Sequence, residues 1–179
     1  MKVDTTKVVI IVGGFKLPDR NASAHRAIEN ALLLSKVGYK PIVIGKTPDE
    51  SRCLVDGVEC LSITGERPYN LNIDSIVEYI DFVGMNNVHS IIAYNYPPIA
   101  LIKLLFYCYK NDIQLIPDLT EWYGWDNVGV IRDSIRFLAT ELRMRIITKF
   151  TKKIILASSF LQSKYKKKGS LYIAIFHRP

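Results

Sequence analysis

The sequence predicts an α/β fold: a doubly wound, mainly parallel sheet of about seven strands with helices on both faces. Two observations support this prediction. Short runs rich in valine, isoleucine and leucine alternate along the chain with longer segments of helical periodicity. Near-continuous apolar runs are typical of buried parallel strands. A regular alternation of strands and helices is typical of an open sheet with right-handed crossovers.

The predicted elements follow one another without a linker, a repeat or a low-complexity tract. The apolar runs predict strands over Val8–Val12, Pro41–Gly45, Val58–Ile63, Ser90–Tyr94, Gln114–Pro117, Lys153–Ala157 and Leu171–Phe176. The helical patterns lie between them, over Ser23–Val37, Ile73–Val83, Pro97–Lys110, Ile131–Phe150 and Ser159–Lys167. Gly38 suits the end of the first helix, and Pro97-Pro98 suits the first turn of the third.

Length and composition indicate one domain. The chain has 179 residues, of which 49% are hydrophobic and 23% charged, enough for one well-buried core. A spanning helix or a signal peptide is not predicted, so we expect a cytoplasmic protein. Cys53, Cys60 and Cys108 form no C-x-x-C pair, which favours buried thiols over zinc or a disulfide framework. No metal site is predicted.

The net charge of +7 is unevenly distributed. From Arg132 to Arg178 there are 12 lysines and arginines against Asp133 and Glu141, a balance of +10. Residues 1 to 131 carry 12 basic against 15 acidic side chains, a balance of −3. A basic C-terminal third predicts an acidic partner, which could be phospholipid, nucleic acid or a phosphorylated substrate.

The segment after the first strand predicts a site for an anionic or sugar-bearing ligand. Paired glycines allow close approach to the backbone, and the following helix start favours negative charge. The glycine spacing differs from the dinucleotide fingerprint, and Gly45-Lys46 replaces the expected ribose-binding acid, so a nicotinamide cofactor is not expected. The candidate binding residues in this segment are Gly13, Gly14, Arg20, Ser23, His25 and Arg26.

A second group of candidates follows two later strands, and in parallel sheets such strand ends share one edge. Asn95 and Tyr96 follow one strand, and the segment Asp118–Trp125 follows the next. In that segment carboxylates accompany aromatic rings, as in many sugar sites, and Glu121 and Trp122 are candidate binding residues. The alternative is a capping and packing loop in which Asp118 bonds local backbone groups.

The predicted helix from Ile131 has a basic face. Its predicted buried stripe is Ile131, Ile135, Leu138, Leu142 and Ile146. Off this stripe lie Phe137 and Met144, with a set of arginines: Arg132, Arg136, Arg143 and Arg145. Spare apolar residues beside basic ones predict contact with an anionic membrane surface, and a solvated basic face is the alternative.

These motifs, in their order, resemble a known family. The opening Gly13-Gly14, then Ala22-Ser23-Ala24-His25-Arg26, resembles the start of retaining glycosyltransferases of the GT-B architecture, in particular glycosyltransferase family 4. The middle segment Ile116–Gly124, which reads IPDLTEWYG, is similar to a "dltEwyg" segment of bacterial members. The helix residues Glu141–Arg145 and the later Ser158–Leu161 match the family's order. The resemblance spans nearly the whole chain.

The resemblance implies a Rossmann-like, acceptor-side domain over residues 1–176, with 177–179 beginning an interdomain linker and the donor-binding domain absent. It implies retaining hexosyl transfer from a nucleotide sugar, the donor being a substrate and no cofactor being needed. The acceptor would be a glycan or a lipid-linked glycan of bacterial envelope polysaccharide synthesis, at the inner face of the cell membrane. Asp118 would lie near the reacting sugar, where members carry a histidine or aspartate.

Two other classes of function are alternatives to this one. The chain could be a non-catalytic subunit of a split transferase that docks on a partner with the donor half. A nucleic-acid-binding domain is disfavoured, because no basic aromatic sheet or recognition helix is apparent. For a lone half, we expect Phe15, Tyr96, Trp122 and Trp125 to be exposed on the strand-end face, with Asp118 opening into the cleft and self-association favoured.

Overall fold

Strands and helices alternate as the sequence predicts. The computed structural model describes residues 7–17, 21–47, 52–63, 72–120, 137–139, 141–164 and 170–172. The strands are β1 (Val8–Lys16), β2 (Lys40–Lys46), β3 (Cys53–Val55), β4 (Val58–Ser62), β5 (Val88–Tyr94), β6 (Gln114–Leu119), β7 (Ile154–Leu156) and β8 (Ser170–Tyr172). The α-helices are α1 (Ala22–Lys36), α2 (Asp74–Val83), α3 (Pro98–Lys110) and α4 (Ser159–Lys164).

The strands form one sheet in the order β3-β4-β2-β1-β5-β6-β7-β8. Every neighbouring pair is parallel except β3 with β4. From β1 the chain first builds outward through β2, and from β5 it builds in the opposite direction through β6. The strand order therefore reverses between β1 and β5, which is the switch point of a Rossmann-like sheet.

Helices cover both faces of the sheet, as predicted. On one face α2 and α3 pack on the sheet through residues such as Ile80 and Leu104. On the other face Ala27 and Ala31 of α1 pack on Val9 and Ile11. Because alternate residues of β1 enter different clusters, the strand is buried on both sides, which explains its unbroken apolar sequence.

Two parts of the sheet differ from the prediction. β1 does not end at Val12 but continues through Gly13 and Gly14 to Lys16, with an irregularity before Lys16 pairs with Lys46. β3 was not predicted. It forms a hairpin with β4 across Asp56-Gly57, whose φ angles are 50° and 83°. An Asp-Gly turn of this kind is a strong hairpin signal, so the sequence carried the information.

The predicted long helix over Ile131–Phe150 is helical in all of its described residues, but it does not keep one helix type. Residues 131–136 and 140 lie outside the described residues, residues 137–139 and 141 are α-helical, and the chain continues as a π-helix over Leu142–Ile146 and a 3-10 helix over Ile147–Phe150. Phe137 and Met144 are buried, whereas Leu138 is 65% exposed. The predicted stripe assumed 3.6 residues per turn, and a π-turn changes that phase. Among the described helices, none has the length and apolar character needed to cross a membrane.

Candidate functional site

Those predicted binding residues that the structure describes lie at the carboxyl ends of the parallel strands, beside the switch point. Gly13 near the end of β1 pairs with Tyr94 at the end of β5, and Tyr94 pairs with Asp118 in β6. The first turns of α1 lie over the same edge, since Arg26 reaches Asp118. This is the part of an open α/β sheet where ligands usually bind.

Arg26 and Asp118 form a two-point ion pair. The Arg26 Nη2 donates to Asp118 Oδ1 at 2.9 Å, and its Nε donates to Oδ2 at 3.2 Å. The side chains are only 8% and 2% exposed. Burial raises the pKa of the Asp118 carboxyl, and the Arg26 guanidinium counteracts that rise. The pair joins α1 to β6 across 92 residues of sequence.

The expectation that Asp118 opens into the cleft is therefore wrong. Its carboxylate is buried and both oxygens accept from Arg26, because a two-point guanidinium fork satisfies a desolvated carboxylate well. Arg26 was expected to contact a ligand; its guanidinium binds Asp118, and a contact of Arg26 with a ligand stays a prediction. The role of Asp118 in chemistry stays a prediction.

Asn95 is the centre of a polar network above β5 and β6. Its φ of 40° is left-handed, a conformation that asparagine tolerates better than most residues. The Asn95 side-chain amide donates to Thr120 Oγ1, and the Thr120 backbone N–H donates to Asn95 Oδ1 at 3.2 Å. The Thr120 hydroxyl lies 3.4 Å from the Tyr94 hydroxyl. All three side chains are partly exposed, so they form a polar surface that solvent can reach.

The backbone of Asn95 is held from both sides. Its N–H donates to the Asp118 carbonyl at 2.8 Å, and its carbonyl accepts from Arg143 Nη1 at 3.1 Å. Arg143 is only 8% exposed. The prediction that Arg143 belongs to an exposed membrane-binding face is wrong, because the π-helix directs this side chain toward β5. The sequence placed Tyr94 and Thr120 in the segments that meet at the strand ends but did not single them out as binding residues, and it assigned Arg143 to a membrane surface rather than to this network.

The Phe15 side chain occupies the space next to Gly13. A Cβ atom on Gly13 would lie 2.4 Å from the Phe15 ring, and one on Gly45 would lie 2.9 Å from both Phe15 and Leu17. Phe15 is 1% exposed and its ring centroid lies 5.4 Å from that of Tyr94. Gly13 therefore makes room for Phe15, whereas Gly14 is exposed at the edge. The expected exposure of Phe15 is wrong.

Tyr96 is also buried rather than exposed on the strand-end face. It is 1% exposed, and its hydroxyl donates to the Asn72 carbonyl at 2.9 Å. Burial raises the pKa of this phenol. Its side chain belongs to the core that α2 and α3 share, so it is not available to a ligand.

The start of α1 is capped locally. The Asn21 side chain accepts from the Ala24 N–H at 2.9 Å and from the Ser23 hydroxyl at 2.7 Å. Ser23 thereby takes part in the cap, while His25 is exposed on the first turn. The candidates Arg20, Glu121, Trp122, Arg132 and Arg136, with Trp125, lie outside the described residues, as does the side chain of Arg145.

The described residues contain no group of three or more histidine, cysteine, aspartate or glutamate side chains arranged to hold a metal ion. Comparison of the chain with models of known protein families and with curated proteins finds no match.

Proposed function

We propose that this domain is the acceptor-binding half of a retaining glycosyltransferase, which transfers a sugar from a nucleotide-sugar donor to a polysaccharide or lipid-linked acceptor. The observation that carries the proposal is the partly exposed polar network of Tyr94, Asn95 and Thr120 at the switch point. Hydroxyl and amide groups can both donate to and accept from sugar hydroxyls, and a tyrosine ring offers a surface for a sugar face.

The hydrogen bonds that anchor this network to the fold support a binding role. Arg143 and Asp118 fix the backbone of Asn95, and the Arg26 pair fixes Asp118. A binding surface held in this way loses little conformational entropy when a ligand binds. The motif order that resembles glycosyltransferase family 4 covers the same strand ends, so pattern and geometry support one location.

The second candidate function is a binding subunit that takes no direct part in the chemistry. It is favoured by one observation, the burial of Asp118 in its pair with Arg26. A carboxylate whose two oxygens both accept from a guanidinium is poorly placed to act on a sugar. Both candidates need the network, and they differ in whether exchange of Asp118 affects transfer once a donor domain is present.

Saccharide binding tests the proposed site. We expect saturation-transfer NMR to detect binding of one or more members of a panel of methyl hexosides, N-acetylhexosamines and disaccharides. Thr120→Val removes the hydroxyl at constant volume, and Asn95→Gly removes the amide while permitting the left-handed backbone. Each should weaken binding at least several-fold. The matched control is Asn86→Gly. Asn86 is an exposed asparagine that precedes the start of β5, whereas Asn95 follows the end of the same strand. The proposal fails if no saccharide binds, or if Thr120→Val binds as tightly as the control.

We also propose an anionic membrane surface as a partner, at a place other than the predicted basic helix. Phe106, Tyr109 and Phe150 are 68%, 87% and 71% exposed. Tyr109, Phe150 and Lys152 line one groove of about 220 Å³ near the amino ends of β6 and β7, together with Asp112. Exposed Lys110 and Lys149 adjoin these rings in sequence. We call these three rings and three lysines the basic aromatic patch.

The charge of this patch favours anionic lipid. Aromatic rings lie well at the headgroup level of a bilayer, and each nearby lysine adds about 1 kcal/mol of attraction to an anionic surface. The patch lies at the amino edge of the sheet, opposite the Asn95 network. A domain bound to lipid through the patch would hold that network away from the bilayer, which favours a long glycan acceptor over a short glycolipid.

Vesicle sedimentation tests the membrane partner. Binding should rise with the fraction of phosphatidylglycerol in phosphatidylcholine vesicles and should weaken with salt. Phe150→Ser should reduce binding several-fold, while Phe82→Ser, at a ring 69% exposed on α2, should not. Equal binding to neutral and anionic vesicles, or equal losses in the two variants, would contradict the assignment.

A further inference from the structure

Two cysteines face each other across the hairpin at the edge of the sheet. Cys53 of β3 is the register partner of Cys60 of β4 in the antiparallel pair. Directly opposed residues in such a pair have Cα atoms about 4.5 to 5.5 Å apart. This separation lies within the range that a disulfide spans, about 4.4 to 6.8 Å.

The two side chains lie on the same face of the hairpin. Cys60 is fully buried in the cluster that α1 forms with the sheet, and Cys53 is partly buried against that cluster. The Cys60 thiol lies 3.5 Å from the Val58 carbonyl. Burial raises the pKa of Cys60 to about 12. The register and the shared face place the two cysteine side chains next to each other.

The two cysteines differ in access. Cys53 is partly exposed, whereas Cys60 is 0% exposed. A reagent from solution can reach Cys53 first, and Cys60 is placed to attack the product. Cys108, the third cysteine, is buried in α3 on the opposite face of the sheet and has no such partner relation to the hairpin.

We propose that Cys53 and Cys60 are a redox-active pair that a low-molecular-weight disulfide converts into a cross-strand disulfide. The Cys53 thiolate attacks one sulfur of the reagent R–S–S–R, and the first R–S⁻ leaves. The Cys60 sulfur then attacks Cys53 Sγ while its proton passes to the departing sulfur, so that the mixed disulfide breaks and the second R–S leaves as a thiol. Two protein thiols are oxidised, the reagent gains two electrons, and the two protons end on the released thiols.

The disulfide would fix β3 on β4. β3 has three residues and pairs only with β4, so few backbone hydrogen bonds hold it to the sheet. A covalent bond between opposed residues removes the freedom of β3 to separate from the sheet. Oxidation would thus convert a short edge strand into a permanently paired one.

The test is oxidation of the native, reduced full chain with oxidised glutathione, followed by intact mass and peptide mapping. The expected product has lost two hydrogen atoms, carries no glutathione and contains a Cys53–Cys60 linkage that dithiothreitol reverses. Cys60→Ser should stop at the mixed disulfide on Cys53, and Cys53→Ser should not react. Cys108→Ser is the matched control and should behave as the wild type. Hydrogen exchange of the Val55 amide, which faces β4 in the pair Val55–Val58, should slow after oxidation.

Three outcomes would overturn the proposal. One is a stable glutathione adduct on Cys53 in the wild type, with no internal disulfide. Another is linkage of Cys108 to either hairpin cysteine. The third is oxidation that occurs only in denaturant, because the native register then would not bring the thiols together. Native mass and circular dichroism of each variant exclude unfolding as the cause.

Discussion

At the scale of single residues, buried charge decides the character of the candidate site. Asp118 and Arg26 are both desolvated, and each satisfies the other through two hydrogen bonds. Removing one member of such a pair leaves an unpaired buried charge, which is far more destabilising than loss of a surface pair. The pair thus acts first as a clamp between α1 and β6.

We predict that Asp118→Asn lowers the free energy of unfolding by about 3 kcal/mol, because the Arg26 guanidinium then lacks its counter-charge. Glu59→Gln is the matched control, since Glu59 pairs with Arg52 at 3.6 Å and that arginine is 57% exposed. Its loss should stay within about 1 kcal/mol. Urea unfolding of both variants measures the difference, and equal losses would contradict the clamp.

Gly13 gives a second prediction at this scale. Gly13→Ala should destabilise the domain by about 1 to 3 kcal/mol, because its Cβ atom would overlap the buried Phe15 ring. In a Phe15→Leu background the same exchange should cost less, since the smaller side chain leaves room. Denaturant unfolding of the four proteins measures this coupling. An additive result would mean that Phe15 is not what requires glycine at this position.

At the scale of elements, helix α3 packs on the sheet with one face and exposes aromatic residues on the other. Leu101, Leu104 and Cys108 are buried against the sheet, whereas Phe106 and Tyr109 are exposed. Because the Cys108 thiol is buried, we expect the stability of the fold to depend on pH. Burial raises the pKa of Cys108 from 9.0 to about 12, because the interior disfavours the thiolate.

The sign of the resulting pH effect follows from linkage. Below about pH 9 the thiol is neutral in both folded and unfolded chains, so its contribution is fully present. Above that pH the unfolded chain ionises first, and stability falls by up to about 1.4 kcal/mol per pH unit until the folded pKa is passed. Cys108→Ala, which should cost about 1 kcal/mol at neutral pH, should therefore lose less stability than the wild type on going to about pH 11. Parallel pH dependences would contradict this.

At the scale of the whole molecule, the two ends of the parallel strands carry different surfaces. The carboxyl edge carries the Asn95 network, and the amino edge carries the basic aromatic patch. Under the proposed function the nucleotide sugar is held mainly by a second domain across a cleft. A cleft with one wall supplies only part of the groups that position the substrates and stabilise the leaving diphosphate.

We therefore predict that the 179-residue chain alone transfers no sugar at a measurable rate. The measurement is release of nucleoside diphosphate from a panel of UDP- and GDP-sugars with saccharide acceptors, against a buffer control. If a donor domain is supplied in trans, comparison of the transfer rates of Asp118→Asn and the wild type tests whether Asp118 takes part in transfer. Turnover by the chain alone would contradict the two-domain requirement and would make the carboxyl edge itself a complete active site.

The sequence by itself determined the α/β class, the seven predicted strands and the edge where the candidate residues meet. It could do so because apolar patterning is local and parallel strands all end at one edge. The ends of the first strand and the hairpin strand β3 were missed, although Asp56-Gly57 marked the hairpin.

Only the tertiary structure decided which partners these residues take. It paired Arg26 with Asp118 across 92 residues, filled the space above Gly13 with Phe15, and set Cys53 opposite Cys60. It also buried Met144 and Arg143 in a π-helix, which the periodicity of the sequence did not predict. The physical reason is that secondary structure follows from neighbours in sequence, whereas burial, ion pairing and helix phase follow from how distant segments pack.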